Sequence, residues 1–459
     1  MNEEEQEELP ALRVNVIEKG GSERDGWLTC EIGEHLTFSP DSLASYFFAK
    51  WEPLVFDALL VAAAVEFCDK IKRRPKLGWG RAFELKLPVD DPHFWKSPKV
   101  YSALIDAIAF LSGDTWEINF IKRRRALEKP RQNLFELTLS GPLAVLPFSE
   151  GLDSRAVAGI LATEWGDRLV RVRVGTKAND RPKTASGRPQ PFTTIPYDVS
   201  SAGYAFREST ARSRGFKFAM LSGIAAYLAK ADRVFVPESG QGALGPSLVP
   251  VGQAYIDYRN HPLFTNRMSA LLEALFGHKV RYEFPRLWFT KGQTLKSYVD
   301  QFPASEWGKT RSCWQDNRHV SVDGRRRQCG ICAACMLRRL SVHAAGLSEP
   351  RDIYVWDLKA NSFEDGAAPG LKKIEKVQRQ YAIAGTLHLD HLANLKNAPI
   401  HAPGITLNAK QLASALSIPA QEAEEKLDRL LNQHEKEWKA YMASLGPNSF
   451  VKHWTGRAS

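Results

Sequence analysis

The sequence has little cysteine, six residues in 459, and that scarcity argues against a disulfide framework holding the chain together. It also lacks an apolar run of membrane-spanning length, since the longest helical stretch, Phe56 to Phe67, is too short to cross a bilayer. The opening residues, Met1-Asn-Glu-Glu-Glu-Gln-Glu-Glu, are acidic where a secretory leader is basic and then apolar. No internal repeat is present. These absences predict a soluble cytoplasmic protein with no membrane partner, and 44% apolar residues suffice to bury two or three cores in a chain of this length. The net charge of +10 suits an anionic partner, with nucleic acid possible but not required. The cations are scattered, clustering only at Lys122 to Arg125 and Arg325 to Arg327, so a solvated basic face accounts for them equally well.

What cysteine there is lies mostly in one place. Cys329-Gly-Ile-Cys332-Ala-Ala-Cys335 sets three thiols at two-residue gaps, and Cys313 can complete a tetrahedron, which is the spacing of a structural zinc site. The alternative is reduced thiols packed as small apolar residues. The intervening Asp316, Arg318, Asp323 and Arg325 to Arg327 argue against it, because so polar a stretch does not make a core.

The second informative segment is Leu143 to Ser154. An apolar run, Leu143-Ala-Val-Leu-Pro-Phe148, ends in Ser149-Glu-Gly-Leu-Asp153-Ser154 and is followed by a helical apolar pattern from Ala156 to Leu161. A strand, a tight polar turn and a helix in that order place free backbone N–H groups where they can hold an anion, and Ser149, Gly151 and Ser154 are small enough to let a phosphate approach. An acidic N-cap serving only the helix is the plainer reading.

From Leu143 onward strands and helices alternate: Leu143 to Phe148, helix Arg155 to Trp165, Arg168 to Val174, helix Phe216 to Lys230, Arg233 to Pro237. This predicts an α/β fold with a doubly wound parallel sheet and ligands at the carboxyl ends of its strands. Residues 1–135 have a different texture, with a helix Leu54 to Ile71, a strand Arg81 to Leu87, a helix Val100 to Leu111 and a strand Asp114 to Ile121, and are expected to form a separate α+β accessory domain. Trp79, Phe83, Phe94, Trp95 and Trp116 belong to its core or to a partner surface. The expected boundaries are 1–135, 136–350 and 351–459, the last mostly helical with one long helix from Pro419 to Leu445. Thr176 to Pro191 reads as a mobile loop and Asn361 to Gly370 as a linker.

Two further motifs are set aside. Gly240-Gln-Gly242-Ala-Leu-Gly245 has the form of a dinucleotide fingerprint, but Pro246 and Pro250 stand where its helix should begin. Gly308-Lys309-Thr310 resembles the end of a Walker loop, but Pro303 occupies the place of its first glycine. His388 and His391, around Asp390, lack a third metal ligand and read as surface or capping residues.

Taken in order, these segments resemble a known family. Ser149 to Ser154 is similar to the SGGxDS loop of the PP-loop ATP pyrophosphatases, with Glu150 in place of the first glycine. Loop and thiols together resemble the 7-cyano-7-deazaguanine synthases and their relatives, which pair that loop with a four-cysteine zinc knuckle. Ala211-Arg212-Ser-Arg-Gly-Phe216, Trp288-Phe-Thr290-Lys291 and Cys335-Met-Leu-Arg338, with Ala344-Ala-Gly346-Leu347 further on, follow the family's pattern, with Ser213 replacing an asparagine and a lengthened interval before Cys329. The resemblance covers about residues 140 to 348.

The resemblance implies a PP-loop fold, structural Zn²⁺ on Cys313, Cys329, Cys332 and Cys335, and ATP with Mg²⁺ held by Ser149, Gly151, Leu152, Asp153, Ser154 and Arg212. Asp153, Ser154 and Lys291 would be the catalytic residues, while Glu238, Ser239 and Gly240, after the strand ending near Pro237, would face the purine unless they form a plain loop. The implied reaction is adenylation of the carboxylate of 7-carboxy-7-deazaguanine and transfer of the acyl group to an amine. In the biosynthetic enzymes the amine is ammonia and the final product is a nitrile. In the enlarged relatives of antiphage defence systems, of the Qat type and the cyclic-nucleotide signalling type, it is the N-terminus of a partner protein. Residues 1–135 and 351–459 flank the core and favour the protein acceptor. A non-catalytic nucleotide-binding module is the reading from another class. A tRNA thiolation enzyme would need a spare thiol near the loop, and Cys30 and Cys68 lie outside the core.

Overall fold

The computed structural model describes residues 10–39, 52–75, 78–125, 142–149, 151–174, 192–252, 254–314 and 320–456. Glu150 and the stretch 175–191, which contains all of the expected mobile loop, lie outside the described residues. The chain packs as two compact units, the first made of Met1–Pro147, Trp165–Val236 and Gly252–Glu283, the second of Phe148–Glu164, Pro237–Val251 and Phe284–Ser459.

The first unit holds two parallel sheets. In chain order the strands are β1 (Leu12–Ile17), β2 (Leu28–Glu31), β3 (Leu36–Phe38), β4 (Ala82–Val89) and β5 (Thr115–Lys122). The order β2-β1-β4-β5 forms a sheet whose strand pairs are all parallel. The helices Pro53–Ile71 and Pro98–Ser112 are the crossovers that return the chain to start the next strand in the same direction. This part is therefore α/β rather than the α+β expected: both helices and the strands β4 and β5 were legible, β1 and β2 were not, and the class depends on pairing direction, which periodicity does not carry. β5 alternates strictly, Trp116, Ile118 and Phe120 buried and Thr115, Glu117 and Asn119 exposed, so this sheet is apolar on one face and polar on the other. On the apolar face Phe83 stacks on Trp116 at 4.4 Å and Trp95 on Phe120 at 5.1 Å.

The second sheet contains β6 (Ala144–Pro147), β7 (Leu169–Val174), β8 (Phe192–Ile195), β10 (Arg233–Phe235) and β11 (Arg281–Glu283), while β9 (Tyr197–Val199) pairs antiparallel with β3. Its order is β11-β10-β6-β7-β8, and every pair is parallel. Strands added first on one side of β6 and then on the other make a doubly wound sheet whose direction of travel reverses between β6 and β10. Those two strands run directly into residues 148–154 and 237–240, respectively.

The described part of residues 1–135 lies in the same compact unit as Trp165–Val236 and Gly252–Glu283. Helix Pro53–Ile71 packs on helix Ser213–Ala229, where Lys217 pairs with Glu66 at 2.8 Å and the Ser213 N–H reaches Asp69 at 2.8 Å. Helix Pro98–Ser112 packs on helix Pro262–Phe276, joined by Arg267 and Asp106 at 3.1 Å. These long-range pairings lie within the first compact unit.

The second unit is mainly helical, with Leu152–Trp165 (all but its last residue), Lys291–Gln301, Ala333–Ala344, Lys376–Asn394, Ala402–Leu416 and Ala420–Ser444. Its core joins Met336, Leu340, Trp356, Phe363, Leu389 and Trp438 to the four clustered cysteines. The segment read as a linker, Asn361 to Gly370, is part of that core: Phe363 is 2% exposed, stacks on Trp356 at 5.3 Å and accepts its indole N–H through the carbonyl at 3.0 Å. A single aromatic anchors a turn whose Ser, Asp and Gly content reads as solvent-facing. Among the described residues no helix is long and apolar enough to cross a membrane.

Candidate active site and metal centre

The turn from Ser149 into helix Leu152–Trp165 is held by its own serines. Ser154 Oγ accepts the Ser149 N–H at 3.1 Å and can donate its single proton to the carbonyl of Ser149 at 2.9 Å or of Gly151 at 3.1 Å. Ser149 Oγ lies 3.0 Å from Ser154 Oγ and accepts the Gly151 N–H at 3.1 Å. A Cβ on Gly151 would sit 3.0 Å from Ser149 Oγ, so the closeness of the turn favours glycine there. Leu152 anchors the helix start by packing with Leu295 and Val342. The first amides of such a helix have no carbonyl four residues back, leaving N–H donors at the turn.

Asp153 links this turn to two other segments. One carboxylate oxygen pairs with Lys291 Nζ and the other accepts from Ser239 Oγ at 3.2 Å. Lys291 opens helix Lys291–Gln301, and Thr290 caps it with a complete capping box: Gln293 N–H to Thr290 Oγ1 at 3.1 Å, Thr290 N–H to Gln293 Oε1 at 2.9 Å. The Lys291 N–H donates to Gln241 Oε1 at 2.8 Å. Gln241 Nε2 faces His434 Nδ1 at 2.7 Å, and His434 Nε2 faces the Leu389 carbonyl at 2.9 Å. A carbonyl only accepts, so Nε2 carries the proton and Nδ1 accepts from the glutamine, which orients that amide with its oxygen toward Lys291. Burial pushes the His434 pKa down to about 4, which keeps the ring neutral and this tautomer in place. Thr290 Oγ1 also donates to Glu437 Oε1 at 2.6 Å, and burial raises the Glu437 pKa.

The structure thus brings Ser149, Gly151, Leu152, Asp153, Ser154, Ser239 and Lys291 together in the second unit. Gly240 is tightly packed: a Cβ there would fall 2.2 Å from the Leu287 carbonyl. Glu238 is half-buried, adjacent to Ser239. The prolines do interrupt the glycine motif, as expected: it folds as two single turns, Gly240–Ala243 and Gly245–Leu248, with Pro246 in the first turn of the second. Arg212 belongs to the first unit, where its guanidinium donates to the Tyr255 carbonyl at 2.7 Å, pairs with Asp257 at 3.0 Å and lies over Trp79. His388, read as a surface or capping residue, is half-buried near Gly245, and burial lowers its pKa to about 4. Gln241, His434 and Glu437 were not read from the sequence as site residues.

Cys313, Cys329, Cys332 and Cys335 are buried and free of disulfides, and their sulfurs all lie within 4.8 Å of one another. Cys329 Sγ and Cys335 Sγ are 3.8 Å apart, the edge of a tetrahedron with Zn–S bonds of about 2.3 Å. Backbone N–H groups of Cys329, Cys332 and Trp314 point at the sulfurs of Cys313, Cys329 and Cys332, each at 3.4 Å. The Cys313 thiol is pulled well down by hydrogen bonds from the other three, while Cys332 is pushed up by its thiol neighbours and Cys335 by burial. Four thiolates cannot be crowded together without a cation among them. The donor set fits a metal ion such as zinc.

These features define an α/β protein with parallel sheets, a serine-pinned turn beside a buried lysine–aspartate pair, and a four-cysteine cluster that could hold a metal. Compared with known proteins, the chain matches no family model and no curated relative.

Proposed function

We propose that this protein is a PP-loop-type, ATP-dependent ligase that adenylates the carboxylate of 7-carboxy-7-deazaguanine and passes the acyl group to an amine, most readily the N-terminus of a partner protein in antiphage defence. The observation that carries this reading is the serine-pinned Ser149–Ser154 turn at the start of helix Leu152–Trp165, with Asp153 paired to Lys291 in the same unit.

In this reading the turn's N–H groups take the pyrophosphate portion of ATP and Lys291 offsets its charge. Asp153, whose oxygens are held by Lys291 and Ser239, is the carboxylate of this turn that would hold a Mg²⁺ ion, which would supply further positive charge at the phosphates. The substrate carboxylate oxygen attacks the α-phosphorus, the bond to the β-phosphate oxygen breaks, and pyrophosphate leaves. The amine then attacks the acyl carbonyl, AMP departs, and the amine's proton passes to solvent. Activation is required because oxide leaves a carboxylate far less readily than AMP does. The four thiols hold structural zinc beneath helix Ala333–Ala344, the usual role of a closed Cys₄ site. The protein acceptor is supported by the long helix Ala420–Ser444, whose Glu437 and His434 reach the residues around Lys291 and give the added C-terminal segment a role at the site.

The test is intact-mass spectrometry after incubation with ATP, Mg²⁺ and 7-carboxy-7-deazaguanine, once with ammonium and once with proteins encoded beside it. A neighbour gaining the acyl-deazaguanine mass, with AMP formed, is the expected result. Free nitrile with ammonium alone would reassign the protein to deazapurine biosynthesis, and no AMP in either tube would make it a binding module.

A further inference from the structure

The N-terminal parallel sheet has its own reversal. β1 leads to β2 on one side, and the later strands β4 and β5 are added on the other, so the crevice at the carboxyl ends of β1 and β4 occupies the position where open α/β sheets bind ligands. A cavity of about 220 Å³ lies there, lined by the ends of β1, β4 and β5 and by the β1–β2 connection. That volume is below the ~300 Å³ at which drug-sized pockets begin, so it suits a compact ligand.

The lining mixes apolar side chains, Val16, Ile17, Pro88 and Ile121, with charged ones, and the charged set is biased toward positive: Arg24, Lys86, Lys122 and Arg124 against Glu18 and Glu23, with Lys122 already paired to Asp90 at 3.5 Å. Lys86 is the informative member. It sits mid-strand beside Asn15 in the β1–β4 register, it is half-buried, and among the described residues it has no hydrogen-bond or ion-pair partner. A half-buried cation without a protein counter-charge is open to one brought by a bound anion. By contrast the acidic Glu18 is already used, its carboxylate accepting the N–H groups of Arg124 and Arg125 at 2.8 and 2.9 Å. The connection bends tightly at Gly21, where a Cβ would fall 2.9 Å from the Glu18 carbonyl, and the Asn15 amide holds the Ser22 carbonyl at 3.4 Å. The crevice is thus a shaped loop over a polar sheet face with an uncompensated lysine in its floor.

We propose that this crevice binds the phosphate of a small phosphorylated metabolite, a phosphate monoester on a body of about pentose size, with Lys86 as its main counter-charge and Arg124 at the rim. The site is independent of the Ser149–Ser154 turn and does not rest on the ligase reading.

The experiment is calorimetric titration of the full chain with ribose 5-phosphate, and with ribose as the uncharged control, in Mg²⁺-free buffer at low salt. Ribose 5-phosphate should bind, inorganic phosphate should compete, and ribose should not bind. Lys86→Glu should weaken binding by at least about tenfold, and Ser154→Ala should leave it unchanged. Arg124→Glu, at an exposed position, should also weaken it and serves as the reading if Lys86→Glu fails to fold. No binding by the wild-type chain, or binding insensitive to both charge reversals in folded protein, overturns the proposal; binding lost only in Ser154→Ala would place the ligand at the other turn and overturn it equally.

Discussion

Lys291 and Asp153 retain 8% and 12% of their side-chain exposure, so either one left alone is a charge in a poorly solvated place. Lys291→Met should therefore lose about 3 kcal/mol in urea unfolding, because Asp153 keeps its charge without its partner. The double variant Lys291→Met with Asp153→Asn should recover most of that stability. On the ligase reading both variants should lose AMP formation by about a hundredfold or more, since the charge that meets pyrophosphate is absent in each. Stability restored without activity is the pattern that separates chemistry from packing. The buried His434 gives a second expectation at this scale. Its pKa of about 4 in the folded protein lies below the ~6.5 of an unfolded histidine, so its contribution is complete above pH 6.5 and is lost as pH falls toward 4, at up to about 1.4 kcal/mol per pH unit. His434→Gln should flatten that portion of the stability–pH curve, as read from urea midpoints between pH 4 and 7.

Helix Ala420–Ser444 supplies Glu437 to the cap of helix Lys291–Gln301, and burial raises the pKa of that carboxyl. A raised value means that the folded state holds the proton more tightly than the unfolded one does. The stabilisation is then present below the ordinary glutamate pKa and disappears as pH rises through the folded value. Glu437→Gln keeps an acceptor for Thr290 and removes the ionisation, so it should match the wild type near pH 4 and exceed it near pH 8 in chemical denaturation. A wild type more stable at pH 8 would mean that the carboxylate is held ionised by a cation. Much of this element was legible: periodic apolar positions in Ala420–Ser444 gave its length to within a residue or so. Its function was not, because Glu437 lies 147 residues from Thr290 and His434 lies 193 from Gln241, and nothing local marks either pair. The same holds for the first sheet. Leu12-Arg-Val-Asn-Val-Ile17 is short and interrupted by Arg13 and Asn15, and its place between β2 and β4 is fixed by pairing across distant segments. The cysteine cluster and the strand–turn–helix geometry at Ser149–Ser154 were readable because each is a short local pattern.

For the whole molecule, the four-thiol cluster tests how metal and fold are coupled. Its sulfurs lie inside the core that also contains Trp356, Phe363 and Trp438, so an ion there would brace the start of helix Ala333–Ala344, the turns of residues 351–371 and the long helix Ala420–Ser444 through one set of contacts. Small metal-held lobes draw much of their folding free energy from the ion, and stripping it leaves four thiols that cannot all stay ionised at this spacing. Hydrogen-exchange mass spectrometry of the full chain with and without a strong zinc chelator should show protection lost across Cys329–Tyr354 and the Trp438 region. β4 and β5, which belong to the other compact unit, should keep theirs. Cys332→Ser should reproduce the chelated pattern, and elemental analysis should fall from one zinc per chain toward none. Unchanged exchange on chelation, with no metal found in the purified protein, would mean that the cluster folds as packed thiols and that the metal reading fails.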